Sequence, residues 1–395
     1  MTTVDRWQLP DGVEEVLPAR AAAVESLRRQ LLDLYRSWGY QLVIPPLMEF
    51  TESLLIGLGS DIDLLTFKMT DQLSGRTLGI RADITPQVAR IDAHSLAQEG
   101  VSRLCYAGST LHTQPKSLMA SRSPIQLGAE LYGDDSLAAD VEVIELMLET
   151  LKVAGLETLS LDLGHTGVYE AVLASANLSS DIESVVFDAL QRKSLPDLEI
   201  ALNGVDEDTA STIIALSSMH GGEQVLTSAR EFFSATTPKA VEAIDDLLKV
   251  VADIRQRLPA LNIYFDLAEL DGYHYHTGIV FAAYVPGHGQ ALANGGRYNN
   301  VGEVFGRARP ATGFATDLKA LMGLLPEQEL TADAISLPAD ADPELLLKSK
   351  ALRANGEIVI NSLSTEVDPR CNRQLVKEHG EWVVKPLESW KHHKS

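Results

Sequence analysis

Between about Gly167 and Leu258 the chain carries helical periodicity, with Val241, Ile244, Leu248, Val251 and Ile254 on one face. The flanking segments read instead as strands: Leu159–Leu163 before the stretch, and Asn262–Leu267, Thr277–Val285 and Gln290–Ala293 after it. A sheet whose strands lie on both sides of some ninety helical residues requires the chain to leave it, build a helical body and return. The pattern therefore predicts a helical insertion inside a larger antiparallel α+β domain. At 395 residues the chain is also too long for one ordinary domain. The expected division is a main domain over 1–325, with its insertion at about 167–258, and a linker with a small α/β domain over 326–395.

Before the insertion, Val24, Leu27, Leu31, Leu34 and Trp38 give one apolar face to a helix from about Ala19 to Trp38. Gly39 ends that helix, and Tyr40–Ile44 reads as a strand stopped by Pro45-Pro46. Short strands follow around Leu64–Met69 and Thr77–Arg81. A helix begins near Thr85-Pro86, where Thr suits the cap and Pro the first turn. Leu104–Leu111 and Pro124–Gly133 read as strands, and Leu137, Val141, Ile144, Leu148 and Leu151 as another amphipathic helix. Pro326–Pro343 has the composition of a linker. The tail beyond it reads as a helix, a strand at Glu357–Leu363 and another at Trp382–Pro386.

Charge excludes several function classes. Thirty-three Lys and Arg face fifty-five Asp and Glu, a net charge of −22. Nucleic-acid binders use clustered cations to displace counterions, so this balance points away from RNA and from anionic membranes. Two cysteines, Cys105 and Cys371, make no disulfide framework and no zinc spacing, so both are read as buried thiols in a reducing compartment. The first residues carry acids and prolines where a signal peptide needs a basic and then an apolar region, which predicts a cytoplasmic protein.

Four segments set polar residues among apolar ones: Arg81-Ala-Asp83-Ile-Thr85, Gln126-Leu-Gly-Ala-Glu130, Asp271 through Gly278, and Asn294-Gly-Gly-Arg297-Tyr298. Gln126, Gly128 and Glu130 alternate onto one face of a strand. An inward glutamate there needs a partner, because a buried charge without one costs several kcal/mol. Asp83, Thr85, Gln126 and Glu130 together could hold an ammonium group; the alternative is an internal salt bridge to Arg81 or Arg90. His274 and His276 share a strand face but lack further ligands nearby, so no metal is expected. Gly295-Gly296 is not followed by the Lys-Ser or Lys-Thr of a phosphate loop and reads as a turn, and no cofactor is expected.

These segments resemble the catalytic domain of histidyl-tRNA synthetase, a class II aminoacyl-tRNA synthetase fold, over about residues 5–325. Leu9-Pro-Asp-Gly-Val-Glu-Glu-Val-Leu-Pro18 through Pro45-Pro46 is similar to the family's opening and its motif 1, which builds a dimer interface. Arg81-Ala-Asp83-Ile-Thr85 resembles R-P-E-G-T, with Asp for Glu, and Arg103 through Glu130 the motif 2 region ending in H-Q-L-G-x-E. Tyr275-His276-Thr-Gly278 is similar to the histidine-recognition run R-G-L-D-Y-Y-T-G. Gly295-Gly-Arg-Tyr298 and Pro310-Ala-Thr-Gly-Phe-Ala315 resemble G-G-R-Y-D and motif 3. The resemblance implies that Asp83, Thr85, Gln126 and Glu130 take the amino group of histidine, and Tyr275, His276 and Tyr298 its ring.

The departures point further. The motif 2 arginine falls on His112, the histidine-specific arginine on Asp271, the motif 3 arginine on Ala320 and a loop arginine on Ala120. Adenylate formation builds negative charge on phosphate, and losing one preorganised donor typically lowers rate by about 10²–10³. The tail is also shorter than an anticodon-binding domain. A synthetase body with the amino-acid pocket kept and the ATP cations lost resembles the ATP phosphoribosyltransferase regulatory subunits, a paralogous family. That resemblance implies a non-catalytic homodimer within a hetero-oligomer, assembled with the short-form catalytic subunit and responding to L-histidine, with no tRNA. A histidine-activating enzyme using Arg122, Arg297 or Arg309, and a scaffold without a ligand, are the other readings.

Overall fold

The chain from Pro18 to Ser37 forms one helix that buries Val24, Leu27, Leu31 and Tyr35, with Pro18 in its first turn. Gly39, at φ +85°, reverses the chain in the left-handed region, and its N–H donates to the Arg36 carbonyl at 3.0 Å. The structure, a computed structural model, describes residues 7–55, 60–115, 120–269, 275–325, 333–363 and 367–387. It has two units, Met1–Pro326 and Glu327–Ser395.

In chain order the strands of the larger unit are β1 (Gln41–Leu42), β2 (Met48–Phe50), β3 (Phe67–Thr70), β4 (Thr77–Ile80), β5 (Ser102–Ser109), β6 (Ile125–Tyr132), β7 (Ser160–His165), β8 (His220–Gly221), β9 (Asn262–Asp266), β10 (Ile279–Tyr284), β11 (Ala293–Arg297) and β12 (Ala311–Asp317). Nine of them form one sheet in the order β1-β5-β6-β12-β11-β10-β7-β9-β8, and β2-β4-β3 form a second, smaller one. The large sheet is mixed rather than purely antiparallel, because β1 pairs parallel to β5 and β7 parallel to β9. Parallel neighbours need a long crossover. The helical residues between β7 and β9 supply it, beginning with Thr166–Ala176 and ending with Pro238–Arg257.

The sheet has two unlike faces. Leu127, Ala129, Leu161, Leu163, Phe281 and Phe314 point to one side and join the helices Pro18–Ser37, Leu137–Val153 and Pro238–Arg257 in the main core. The alternate residues Gln126, Gly128 and Glu130 of β6, Gly313 of β12 and Gly296 of β11 face the other side, aligned by the pairings Glu130↔Gly313 and Gly313↔Gly296. Cys105 and Cys371 are both buried and unpaired. Among the described residues, no helix is long and apolar enough to cross a membrane.

Local departures from the sequence reading have simple causes. Leu64 lies in the last turn of a helix, Ser60–Leu65, and the strand begins only at Phe67. The strand expected at Gln290–Ala293 starts at Ala293 and runs through Gly295 and Gly296, which are strand rather than turn. A Cβ on Gly296 would lie 2.8 Å from His276 Nδ1, so glycine there is a packing requirement. The segment read as linker holds a strand at its described end.

In the smaller unit that strand is β13 (Ala334–Leu337), followed by β14 (Val359–Asn361), β15 (Cys371–Glu378) and β16 (Glu381–Pro386), ordered β14-β13-β15-β16. Helix Pro343–Ala354 covers one face, with Leu345 and Leu352 against Ile335, Leu337, Val359 and Leu375. β15 went unread in the sequence because its residues are mostly polar. Its turn is legible in retrospect: His379 and Gly380 both take positive φ, as a tight two-residue hairpin requires.

Candidate functional site

Glu130 is the pivot of the polar face. It lies 1% exposed in the middle of the sheet. Tyr106, on the neighbouring β5, donates to its Oε1 at 3.1 Å, and Tyr298, just past β11, donates to its Oε2. Gly313, directly opposite on β12, leaves the room its carboxyl occupies. Burial pushes this carboxyl up to about 8, against which the two tyrosine hydroxyls pull only partly, while nearby Asp83 adds to the rise.

The other predicted residues converge on it. Thr85 Oγ1 lies 3.0 Å from the Tyr106 hydroxyl, linking the start of helix Thr85–Arg90 to Glu130 through one tyrosine. Thr85 does not cap its helix. Ile84 stands at the cap position without a side-chain cap, and Asp83 Oδ1, one residue further back, accepts the Thr85 N–H at 2.9 Å while the threonine hydroxyl meets Tyr106. Gln126 Nε2 donates to that same Oδ1 at 2.7 Å, and the Ile84 N–H donates to Gln126 Oε1 at 2.9 Å. Asp83 and Gln126 are half-buried at the rim, whereas Glu130 and Tyr298 lie at the bottom.

The aromatic wall completes the pocket. The Tyr275 ring packs on Tyr298 with centroids 4.9 Å apart, and on His276 at 5.4 Å with the planes nearly perpendicular. The Tyr275 hydroxyl is buried and has no hydrogen-bond partner among the described residues. A buried polar atom without a partner costs about 1–3 kcal/mol, so this hydroxyl has unused hydrogen-bonding capacity among the described residues. All seven residues singled out in the sequence thus meet in one place. His274 and Asp271 lie outside the described residues.

Two residues escaped the sequence reading. Tyr106 bridges Thr85 and Glu130, and the Tyr132 hydroxyl lies 3.1 Å from that of Tyr298. Tyr132 had a signal: it continues the alternation Gln126, Gly128, Glu130 on the same strand face. Tyr106 had none, since its value depends on the register Tyr106↔Gly128 between strands.

The arginines around the site are committed elsewhere. Arg81 donates to the carbonyls of Pro45 at 2.8 Å and Ser109 at 2.9 Å, and Arg90 pairs with Glu49 at 2.5 Å. Neither neutralises Glu130 or Asp83 by a direct ion pair, so the internal salt bridge is not the explanation of this polar cluster. Arg297 grips buried Asp140, Arg309 grips buried Asp92, and Arg122 donates to the carbonyls of His112 and Asp11. His112, where a motif 2 arginine would stand, is buried with Nε2 2.9 Å from the Ala82 carbonyl. Ala320 is exposed.

Comparison with known proteins relates both units to characterised families. Residues 12–321 match the family described as Histidyl-tRNA synthetase, and residues 332–385 match the ATP phosphoribosyltransferase subunit HisZ C-terminal domain. The ATP phosphoribosyltransferase regulatory subunit of Pseudomonas fluorescens is 52% identical over 395 residues, covering 98% of this chain and 100% of that one. The chain belongs to the ATP phosphoribosyltransferase regulatory subunit family. Among solved structures, an ATP phosphoribosyltransferase regulatory subunit/histidyl-tRNA synthetase from Bacillus halodurans aligns with a TM-score of 0.81 at 27% identity, covering 92% of this chain and 94% of that one. A chain of the ATP phosphoribosyl transferase (HisG:HisZ) complex from Thermotoga maritima has the same fold, with a TM-score of 0.58 at 19% identity over 74% of this chain and 96% of that one. The sheet that carries Glu130 and its tyrosines lies within the residues matched to the Histidyl-tRNA synthetase family.

Proposed function

We propose that this chain, as the ATP phosphoribosyltransferase regulatory subunit its family makes it, activates a short-form catalytic subunit and conveys feedback inhibition by L-histidine bound at the Glu130 pocket. The phosphoribosyl transfer to ATP, the first step of histidine biosynthesis, belongs to the catalytic partner in a cytoplasmic hetero-oligomer. The observation that carries the ligand assignment is the buried Tyr275 hydroxyl, without a partner among the described residues, beside a carboxyl held by two tyrosines. Asp83, Gln126 and Thr85 suit the ammonium end of an amino acid. Tyr275, His276 and Tyr298 suit a planar, polar ring, and Glu130 lies between the two ends. A histidine-activating enzyme is the weaker reading, because Arg122, Arg297 and Arg309 are each engaged within the fold.

The deciding measurement is the rate of ATP phosphoribosyl transfer by the cognate short catalytic subunit, with and without this chain, across a histidine titration. A rate raised by the chain and then suppressed by histidine is the expected result. An unchanged rate, with the chain alone exchanging pyrophosphate into ATP, would return it to the synthetases.

The reading also includes a homodimer and no tRNA partner. Leu42 and Ile44, on the motif 1 stretch around edge strand β1, and Leu47 and Met48 just beyond it are 48–85% exposed. Such a run at a sheet edge is what a second copy would cover. Ile44→Asp is expected to halve the mass of the free chain measured by light scattering; a dimer mass that does not change moves the interface elsewhere.

A further inference from the structure

Lys193 stands far from the pocket in sequence, at the turn between helices Ser180–Gln191 and Leu195–Ala201 of the insertion. It takes φ +52°, a left-handed conformation usually left to glycine, asparagine or aspartate. From there its ammonium reaches out of the insertion to Asp266 Oδ2, at the end of β9. Asp266 is 7% exposed, and its other oxygen accepts the Ala268 N–H at 3.0 Å, fixing the first turn of the chain that leaves the strand. Nine and ten residues later that chain supplies Tyr275 and His276.

The start of the chain leaving β9, through Glu269, rests on the polar face of the sheet, and so does His276. One row of paired residues crosses the strands as Glu130, Gly313, Gly296, Val280 and Gly164. Two of these glycines are the seats. A Cβ on Gly164 would lie 2.9 Å from the Asp266 carbonyl and 3.1 Å from Glu269 Cβ, and one on Gly296 would lie 2.8 Å from His276 Nδ1. The first seat is crowded with negative charge: Glu269 and Lys193 both act on Asp162, two residues along β7 from Gly164, and burial together with Glu269 pushes its carboxyl up to about 6. Asp162, Asp266 and Glu269 therefore share one neighbourhood with Lys193, the cation bonded to it from the insertion.

We infer that Lys193 is a positioning residue for the effector pocket, holding Asp266 and residues 267–269 against the sheet at one end of the connection that leads to Tyr275 and His276. The inference rests on the pocket assignment made above only for its consequence in ligand affinity. In physical terms the insertion and the pocket share one tether. Whatever displaces the insertion, including a partner subunit, would then act on the ring end of the pocket.

Lys193→Met removes the charge and keeps the stem, Lys193→Arg keeps the charge, and Asp266→Asn removes the other end. In the full-length chain, Lys193→Met is expected to weaken histidine binding by about fivefold, in the range of a partly buried ion pair. Lys193→Arg should restore most of it, and Lys193→Met with Asp266→Asn should be no worse than the worse single change. Hydrogen exchange at Tyr275–Gly278 in unliganded protein supplies a readout independent of any ligand. It should quicken in Lys193→Met while the core helix Pro238–Arg257 stays as protected as before. Unchanged exchange at Tyr275–Gly278 overturns the inference whatever histidine does, as does a loss confined to the insertion. Unchanged histidine affinity in Lys193→Met beside a marked loss in Glu130→Ala overturns the inference and leaves the pocket standing. Quickened exchange in a chain that never binds histidine keeps the tether and rejects the pocket reading.

Discussion

Glu130→Ala is expected to weaken histidine binding by about 10- to 100-fold while leaving assembly with the catalytic subunit intact. The size follows from the chemistry: a hydrogen bond to a charged group contributes roughly 1.5–3 kcal/mol, and each 1.4 kcal/mol is about a factor of ten. Titration calorimetry on the full chain gives the affinity, and co-purification with the catalytic subunit gives assembly. Equal loss of both would mean that Glu130 supports the fold or the interface rather than a ligand. The pH dependence has a definite sign. With its carboxyl raised to about 8 by burial, Glu130 is mostly protonated at neutral pH in the empty pocket. A ligand ammonium favours the ionised form, so affinity should climb as the pH rises toward about 8 and level off above it. The ligand's own titration is common to Glu130→Gln, so the difference between that variant and the parent isolates this group. Folding follows the same linkage. The folded chain holds a proton that the unfolded chain releases above its ordinary value of 4.5, so the stability from this group is present below 4.5 and is lost as the pH rises through about 8.

Arg297→Met is expected to destabilise the larger unit by about 3–5 kcal/mol, the usual consequence of stripping one partner from a buried ion pair. Asp140 is fully buried, and Arg297 meets its two oxygens at 2.9–3.1 Å while also donating to the carbonyls of Asp134 and Ser136 at 3.0 Å. Without the guanidinium, that carboxylate is left in the core between helix Leu137–Val153 and β11. Burial already pushes its carboxyl up against the pull of Arg297. The double change Arg297→Met with Asp140→Leu should recover most of the loss, since apolar groups of similar volume can replace a buried pair at little cost. Urea unfolding of the three variants measures both effects. A single variant within about 0.5 kcal/mol of the parent would show Arg297 to be available for another role, and would reopen the reading in which it serves phosphate chemistry.

The pocket was legible to different depths. Gln126 and Glu130 could be placed on one side of a strand by counting in twos, and the same count extends to Tyr132. Asp83 and Thr85 were visible as polar residues at a strand-to-helix junction, but their division of labour was not. Asp83 takes the Thr85 N–H and the Gln126 amide, while the threonine hydroxyl meets Tyr106 on another strand. Arginine was the least legible residue. Arg81, Arg122, Arg297 and Arg309 look alike as free cations in the sequence, and only their distances to Pro45, His112, Asp140 and Asp92 reveal that each is occupied. The mostly polar β15 was missed for a related reason. Its hydrophobic signal is thin because the strand is specified by its neighbours β13 and β16 and by a tight turn.

What the sequence by itself determined is whatever depends on local periodicity and on residue identity. That covers the helical stretch interrupting a strand-rich body, the alternating face of Gln126 and Glu130, the absence of arginine at positions 112, 120, 271 and 320, and the resemblance those motifs carry. Tertiary structure alone decided everything that depends on distance between remote residues. It brought Tyr106 and Tyr298 onto one carboxyl, tied up the remaining arginines, turned Gly295-Gly296 into strand beneath His276, and set Lys193 of the insertion on Asp266. The physical reason is that periodicity is a property of neighbours a few residues apart. Charge compensation and hydrogen-bond satisfaction in a buried site are set by partners that only sheet register and chain crossover bring together.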